Sequence, residues 1–253
     1  EPFYLPKFYK RFIRKLSKDF QIVGSTFFAP FNSQNSWLGV IRDHFDYYGP
    51  YMFLKQGLLF TCYKILNFLK LHHFTDDFFS SKSLFQFHKI PFFNPININS
   101  KEFINHLKDL GVDIIVSVAC PKILKKELIN LPEFGCINFH SGKLPSYKGI
   151  APLFWSMMHD EKDAGITVHY INEKIDDGKI INQNVFNISD KETLHSLYLK
   201  VTELGPDLLI KSLNDIKTNS LSLKDNEASE ASYFGFPTAE DGKIFRKKRK
   251  RFR

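Results

Sequence analysis

An amide, an imidazole and a carboxylate stand in this chain at a spacing suited to acyl transfer. Asn138 and His140 flank Phe139, and Asp176 follows in the run Ile175-Asp176-Asp177-Gly178. Moving a one-carbon acyl group onto an amine requires a donor for the tetrahedral oxyanion, an acid for a poor nitrogen leaving group, and a group that orients that acid. Asn138 can give its amide N–H to the oxyanion. His140, two residues on along an extended chain, projects to the same face, where as imidazolium it can hydrogen-bond the oxyanion and protonate the leaving nitrogen. Asp176, on a later loop, can orient the ring and favour its charged form, with Asp177 the competitor for that role. A lone Asn-x-His pair also arises as a satisfied strand end, so its surroundings decide.

Those side chains need a scaffold. Leu5, Phe8, Phe12 and Leu16 behind Pro6 predict a helix over 4–18, and residues 21–29 predict a strand ending at Pro30. The pattern predicts an α/β unit whose first strand is missing from the given chain. Helices follow over 36–47 and 51–71, then a strand entering a loop over 87–99. Asn99 and Glu102 form a capping signal for a helix with a buried stripe of Phe103, Leu107 and Leu110. Residues 113–119 read as a strand covered on both faces, 122–131 as a helix and Cys136–His140 as the next strand. The alternation predicts an α/β fold: a mostly parallel sheet with helices on both faces, and Asn138 at a strand's carboxyl end, where such sheets bind ligands.

After Gly165 the pattern changes to two strands, 166–172 and 179–187, joined around Asp176, Asp177 and Gly178. Ser189 and Glu192 suggest a capping box for a helix carrying Leu194, Leu197, Val201 and Leu204 that bends or restarts at Gly205-Pro206. Beyond 219 the chain is polar, with a short hairpin near 233–237. The expected division is 1–190 for the catalytic unit and 191–253 for a helical and hairpin extension with a basic tail.

Composition narrows the class. The 253 residues are 43% hydrophobic and 25% charged, ordinary for a soluble globular protein. Seven of the 35 basic residues fall in 246–253, so the body is nearly balanced against 27 acidic residues and the net charge of +8 belongs to the tail. A basic tail can grip phosphate or an anionic membrane; its plainer reading is a solvated, frayed end. Cys62, Cys120 and Cys136 show no C-x-x-C spacing, which points to a reducing compartment. Residues 51–71 are the most hydrophobic, but Lys55, Gln56, Lys64, Asn67 and Lys70 interrupt them. They predict a buried or half-buried helix in place of a membrane span, with peripheral membrane contact left open. His72, His73, His88, His159 and His195 lack metal-ligand spacing. Neither a phosphate-cradling glycine loop nor an H-x-E with P-C-x-x-C occurs, which removes nucleotide hydrolysis and zinc deamination.

Around the first three residues stands a longer frame: Gly135-Cys136-Ile137-Asn138-Phe139-His140, Leu144-Pro145-x-Tyr147-x-Gly149, Ala151-Pro152, Gly165-x-Thr167-x-His169 and Asp176-x-Gly178. In this order and spacing the chain resembles the folate-dependent formyltransferase family. The resemblance implies a Rossmann-like formyltransferase fold, 10-formyltetrahydrofolate as formyl donor, no metal, and a catalytic set of Asn138, His140 and Asp176. It further implies a pterin pocket lined by Cys120, Pro121, Lys122, Ile123 and Leu124, largely through backbone groups. Lys143, Tyr147 and Lys148 are the implied acceptor contacts, although a loop-anchoring Tyr147 is an equal reading. Ser141-Gly142-Lys143 departs from the commoner Gly-Ser-Leu or Pro-Ser-Leu and suggests a different acceptor pocket. His169 is either a wall of the site or a packed, hydrogen-bonded histidine.

Among the family's branches the chain is most similar to the sugar N-formyltransferases. It lacks the Gly-Ser-rich phosphate loop of the purine enzymes, room for the barrel of the initiator-tRNA enzymes, and the regulatory domain of the hydrolases. That implies a cytoplasmic enzyme, without an integral membrane segment and in reach of a homodimer. It would formylate the amino group of a dTDP-, UDP- or GDP-linked deoxyamino sugar for surface polysaccharide such as lipopolysaccharide. The alternative is a methionyl-tRNA formyltransferase-like enzyme whose basic tail binds RNA; the first reading needs no nucleic acid.

Overall fold

The computed structural model describes residues 4–28, 37–69, 78–226, 229 and 231–253. In chain order these form α1 (Leu5–Lys15), β1 (Ser25–Thr26), α2 (Trp37–Tyr48), α3 (Pro50–Phe68), α4 (Ser81–Phe87), β2 (Phe92–Phe93), α5 (Lys101–Asp109), β3 (Ile115–Val118), α6 (Lys126–Ile129) and β4 (Cys136–His140). β5 (Lys148–Gly149), α7 (Pro152–Met158), β6 (Asp163–Tyr170), β7 (Ile180–Asn187), α8 (Leu194–Lys217), β8 (Tyr233–Phe234) and α9 (Ala239–Lys247) follow.

The architecture is α/β, with one correction to the sheet. Its four strands lie in the order β3-β4-β6-β7, parallel only between β3 and β4 and antiparallel at β4/β6 and β6/β7. The main sheet is thus mixed, because a parallel partner needs a long crossover and the turn around Asp176 gives β6 and β7 only a hairpin connection. The strand expected over 21–29 shrinks to Ser25 and Thr26, which pair in parallel with Phe92 and Phe93; position 29 is outside the described residues. The hairpin expected near 233–237 is absent too: Tyr233 and Phe234 instead pair in parallel with Lys148 and Gly149.

Local chemistry moved several helix boundaries. Ser100, not Asn99, caps α5, accepting the Phe103 N–H at 3.3 Å. Asn99 instead donates to the Ile123 carbonyl at 3.0 Å and accepts the Lys125 N–H at 2.8 Å. The buried stripe accordingly shifts to Ile104 and Leu107, and Leu110 is exposed. The helix expected over 122–131 is only the four residues of α6. Thr193 and Ser196 make the reciprocal cap of α8, while Glu192 pairs with Lys200.

α8 does not restart at Gly205-Pro206 but runs unbroken from Leu194 to Lys217. Pro206 has no N–H for the Thr202 carbonyl one turn back, and Arg11 of α1 donates to that carbonyl at 3.2 Å instead. Gly205 lets α8 sit tight, since a Cβ there would meet the Phe139 ring at 2.6 Å and the Phe8 ring at 2.7 Å. Phe8, Phe139, Phe154, Ile166, Leu197, Leu209, Phe245 and Phe252 share one core.

The tail is ordered and anchored, not frayed. Lys248 donates to the Met158 carbonyl at 2.8 Å and pairs with Asp160 at 2.6 Å, Arg251 caps the Lys191 carbonyl at 2.5 Å, and Phe252 is buried. α3 takes the half-buried form of the expectation: none of its residues is fully buried, and Met52 packs against the core. Positions 70 and 71 of the expected helix lie outside the described residues. Among the described residues no helix is long and apolar enough to cross a membrane.

Candidate active site

Asn138 and His140 lie toward the carboxyl end of β4, two residues apart and so on one face. β6 brings His169 opposite Asn138 and Thr167 opposite His140. A bulge between Val168 and His169 adds local twist where His169 meets the site. Beyond β6 the chain turns at Asp176, in the left-handed region at φ 47°, which Asp and Asn tolerate better than most residues. Gly178 has no alternative there, because a Cβ would lie 1.9 Å from the Tyr170 carbonyl oxygen. Asn226 clamps this turn, donating to the carbonyls of Asp176 and Gly178 at 2.8 and 3.2 Å. Nothing in the sequence marks Asn226, which sits in a polar stretch far from the motif.

The Asp176 carboxylate joins the other members. It accepts the Gly149 N–H at 2.8 Å and the Asn138 amide at 3.2 Å, and it lies 3.5 Å from both His140 Nδ1 and His169 Nε2. Burial works to raise its pKa, but hydrogen bonding from His169, the charge of His140 and the Gly149 N–H together hold it at about 2. It is therefore ionised at neutral pH. Asp177 turns away and pairs with Lys148 Nζ at 2.5 Å.

His140 Nε2 donates to the Tyr147 carbonyl at 2.9 Å, so in the neutral ring Nδ1 carries the lone pair and faces Asp176. Burial lowers the His140 pKa, and His169 adds to this, while Asp176 and the Tyr147 carbonyl oppose it. Asp176 thus acts in the direction the sequence predicted, but burial outweighs it and the resting ring is neutral. The geometry suits a base: a proton arriving at Nδ1 meets a carboxylate already in place. Asn138 also contacts His169 Nε2 at 3.2 Å, and His169 Nδ1 donates to the Tyr170 carbonyl at 2.8 Å. His169 is hence both packed, at 2% exposure, and part of the cluster.

The other candidates separate. Tyr147 anchors its loop: its N–H goes to Ser232 at 2.8 Å, its hydroxyl to Glu161 at 2.6 Å, and its ring stacks on Phe234. Lys148 is buried against Asp177. Lys143 pairs with Asp163 at 2.7 Å, at the far end of β6 from His169. Gly142 explains part of the unusual tripeptide, because a Cβ there would lie 2.5 Å from His140 Nε2. Ser117 and Val118 are in register with Asn138 and Phe139, so the loop holding Cys120, Pro121, Lys122, Ile123 and Leu124 leaves the sheet beside the cluster. Within it Leu124 is buried and Ile123 is exposed.

Comparison with known proteins fits this arrangement. The family profile described as "Formyl transferase" matches residues 74–213, more than half of the chain. The chain belongs to the formyl transferase family. It is 36% identical over 201 residues to the bifunctional polymyxin resistance protein ArnA of Wigglesworthia glossinidia brevipalpis, covering 78% of this chain and 30% of that protein. It is 38% identical over 152 residues to the methionyl-tRNA formyltransferase of Kosmotoga olearia, covering 60% and 49%. The chain thus spans half or less of the length of these relatives. Among solved structures, a sugar N-formyltransferase from Shewanella sp. superposes with a TM-score of 0.53 at 29% identity, covering 62% of this chain and 60% of that one. A 4-N formyltransferase from Francisella tularensis gives 0.51 at 26%, covering 62% of each.

The histidines of this family member make stability pH-dependent. His140 is held low by burial, and His195 is lowered to about 4 by burial and then by Arg253, Lys7 and Lys55. On acidification the unfolded chain takes up these protons first, so stability is full above the ordinary value of 6.5 and is lost as pH falls toward the folded values. The urea midpoint should be flat above about pH 7 and fall between 6.5 and 4, and His195→Gln should make that fall shallower. A midpoint constant across the window would contradict both shifts.

Proposed function

We propose that this chain transfers the formyl group of 10-formyltetrahydrofolate to the amino group of a nucleotide-linked deoxyamino sugar. The observation that carries the reading is the convergence of Asn138, His140 and Asp176 at one strand end, within 3.2 to 3.5 Å of the shared carboxylate. The bound donor supplies an activated formyl carbon for attack. Asn138 turns one amide hydrogen from its resting partners to the developing oxyanion. His140, neutral at rest, takes the amine's proton on Nδ1, Asp176 stabilises the imidazolium, and the ring returns that proton to the departing folate nitrogen. The residues fit such a donor, because the Cys120–Leu124 loop opens beside the reacting groups at the carboxyl end of the sheet, where α/β folds take ligands.

For the acceptor, the likeness to the Shewanella sugar N-formyltransferase supports an amino sugar, which we assign to a surface polysaccharide such as lipopolysaccharide. The methionyl-tRNA formyltransferase relatives favour the second reading, an RNA-borne amine. Against it, Lys248, Lys250 and Arg251 of the basic tail are engaged within the fold. All three cysteines are free, which suits the cytoplasm. The deciding experiment mixes protein, 10-formyltetrahydrofolate and a panel of dTDP-, UDP- and GDP-linked amino sugars, and follows tetrahydrofolate release. Turnover of initiator methionyl-tRNA with none of any amino sugar would overturn the acceptor assignment.

A further inference from the structure

The site makes no use of α3 or its surroundings. Tyr51, Leu54, Leu58, Ile65 and Phe68 on this helix are 51% to 84% exposed. At about 100° per residue they fall, with the exposed Cys62, on one stripe about a third of the helix circumference wide. Residues 47–69 contain no Asp or Glu. On the flank of the stripe, Leu59 and Tyr63 meet Tyr4, Lys7, His195 and Arg253 around a cavity of about 120 Å³. Lys7, Lys55 and Arg253 have no ion-pair partner among the described residues. Lys7 and Arg253 line the cavity beside His195. The positive end of the α8 dipole lies there as well, His195 being its second residue.

An apolar stripe beside a cationic cavity matches a ligand that is apolar and phosphate-bearing at once. A second copy of the chain fits poorly, since a two-fold interface over stripe and cavity would gather both copies' Lys7 and Arg253 in one interface, to which residues 47–69 bring no carboxylate. We propose that α3 docks on an anionic phospholipid surface, its stripe at the boundary of headgroups and acyl chains and a lipid phosphate in the cavity of Lys7 and Arg253. The contact is peripheral, as for helices that lie in the membrane plane. It is independent of the formyl-transfer reading.

The test is cosedimentation of the whole chain with phosphatidylcholine vesicles, with and without phosphatidylglycerol. Binding should require phosphatidylglycerol and weaken about fivefold with each of Lys7→Gln and Arg253→Gln. The double variant Leu54→Asp/Leu58→Asp should weaken it by more than about tenfold; both positions are exposed, and an unchanged melting curve verifies the fold. Equal binding to neutral vesicles, indifference to the variants, or no binding at all overturns the proposal. So does concentration-dependent dimerisation that Leu58→Asp abolishes, or stabilisation by soluble glycerol phosphate without vesicle binding.

Discussion

Asp176→Asn should lower kcat by about 10³-fold or more, and Asp177→Asn by less than roughly tenfold. Asparagine keeps the shape and tolerates the left-handed backbone at φ 47°, so the exchange removes charge and little else. It leaves the imidazolium at His140 without its counter-charge and sets an amide against the Gly149 N–H or the Asn138 amide, both of which now donate to Asp176. Asp177 faces Lys148, not the cluster. Its loss strands a lysine that is 6% exposed, and the expected effect is about 1–3 kcal/mol of stability. Steady-state folate release and chemical denaturation, run on both variants, separate the outcomes. Comparable turnover losses, or the reverse order, would remove Asp176 from its role.

Asn138→Ala should cost about 10²–10³ in kcat with little change in the KM for the folate. The side chain spends the resting state between Asp176 and His169, so its transition-state donation competes only with two 3.2 Å contacts. Because Asn138, His140 and Asp176 act as a unit, combining Asn138→Ala with Asp176→Asn should cost far less than the product of the single losses. Full multiplicativity would mean that the two residues work independently. A loss carried by KM would move Asn138 from oxyanion donor to binding contact.

The convergence of Asn138, His140 and Asp176 was legible because short-range rules fix it. Period-two alternation places Asn138 and His140 on one face, and the Asp-Asp-Gly run announces a turn. What lay hidden depends on distant partners. Asn226 clamps Asp176 across 50 residues, and the α8 turn at Pro206 survives because Arg11, far away in sequence, takes up the orphaned carbonyl. Ser100 and Thr193 won their caps over neighbours with equally suitable side chains. The resting charge of His140 was not legible for a related reason: the carboxylate beside it is visible in the sequence, and the depth of its burial is not. The tail looked solvated because lysines and arginines dominate it, yet Phe245 and Phe252, spaced among them, anchor it in the core.

That anchoring has a consequence for how the chain is made. Phe245 stacks on Phe154 at 4.7 Å and Phe252 packs on Tyr47 at 5.1 Å, while the Leu194 and His195 amides at the head of α8 bond to the carbonyls of Arg251 and Phe252. During synthesis Asn138, His140, His169 and Asp176 all leave the ribosome before these two phenylalanines do. Until they arrive, the nascent chain presents Phe154, Tyr47 and the open head of α8 to its surroundings, a surface prone to association. The candidate site is thus translated before the core around Phe154 and Tyr47 is closed.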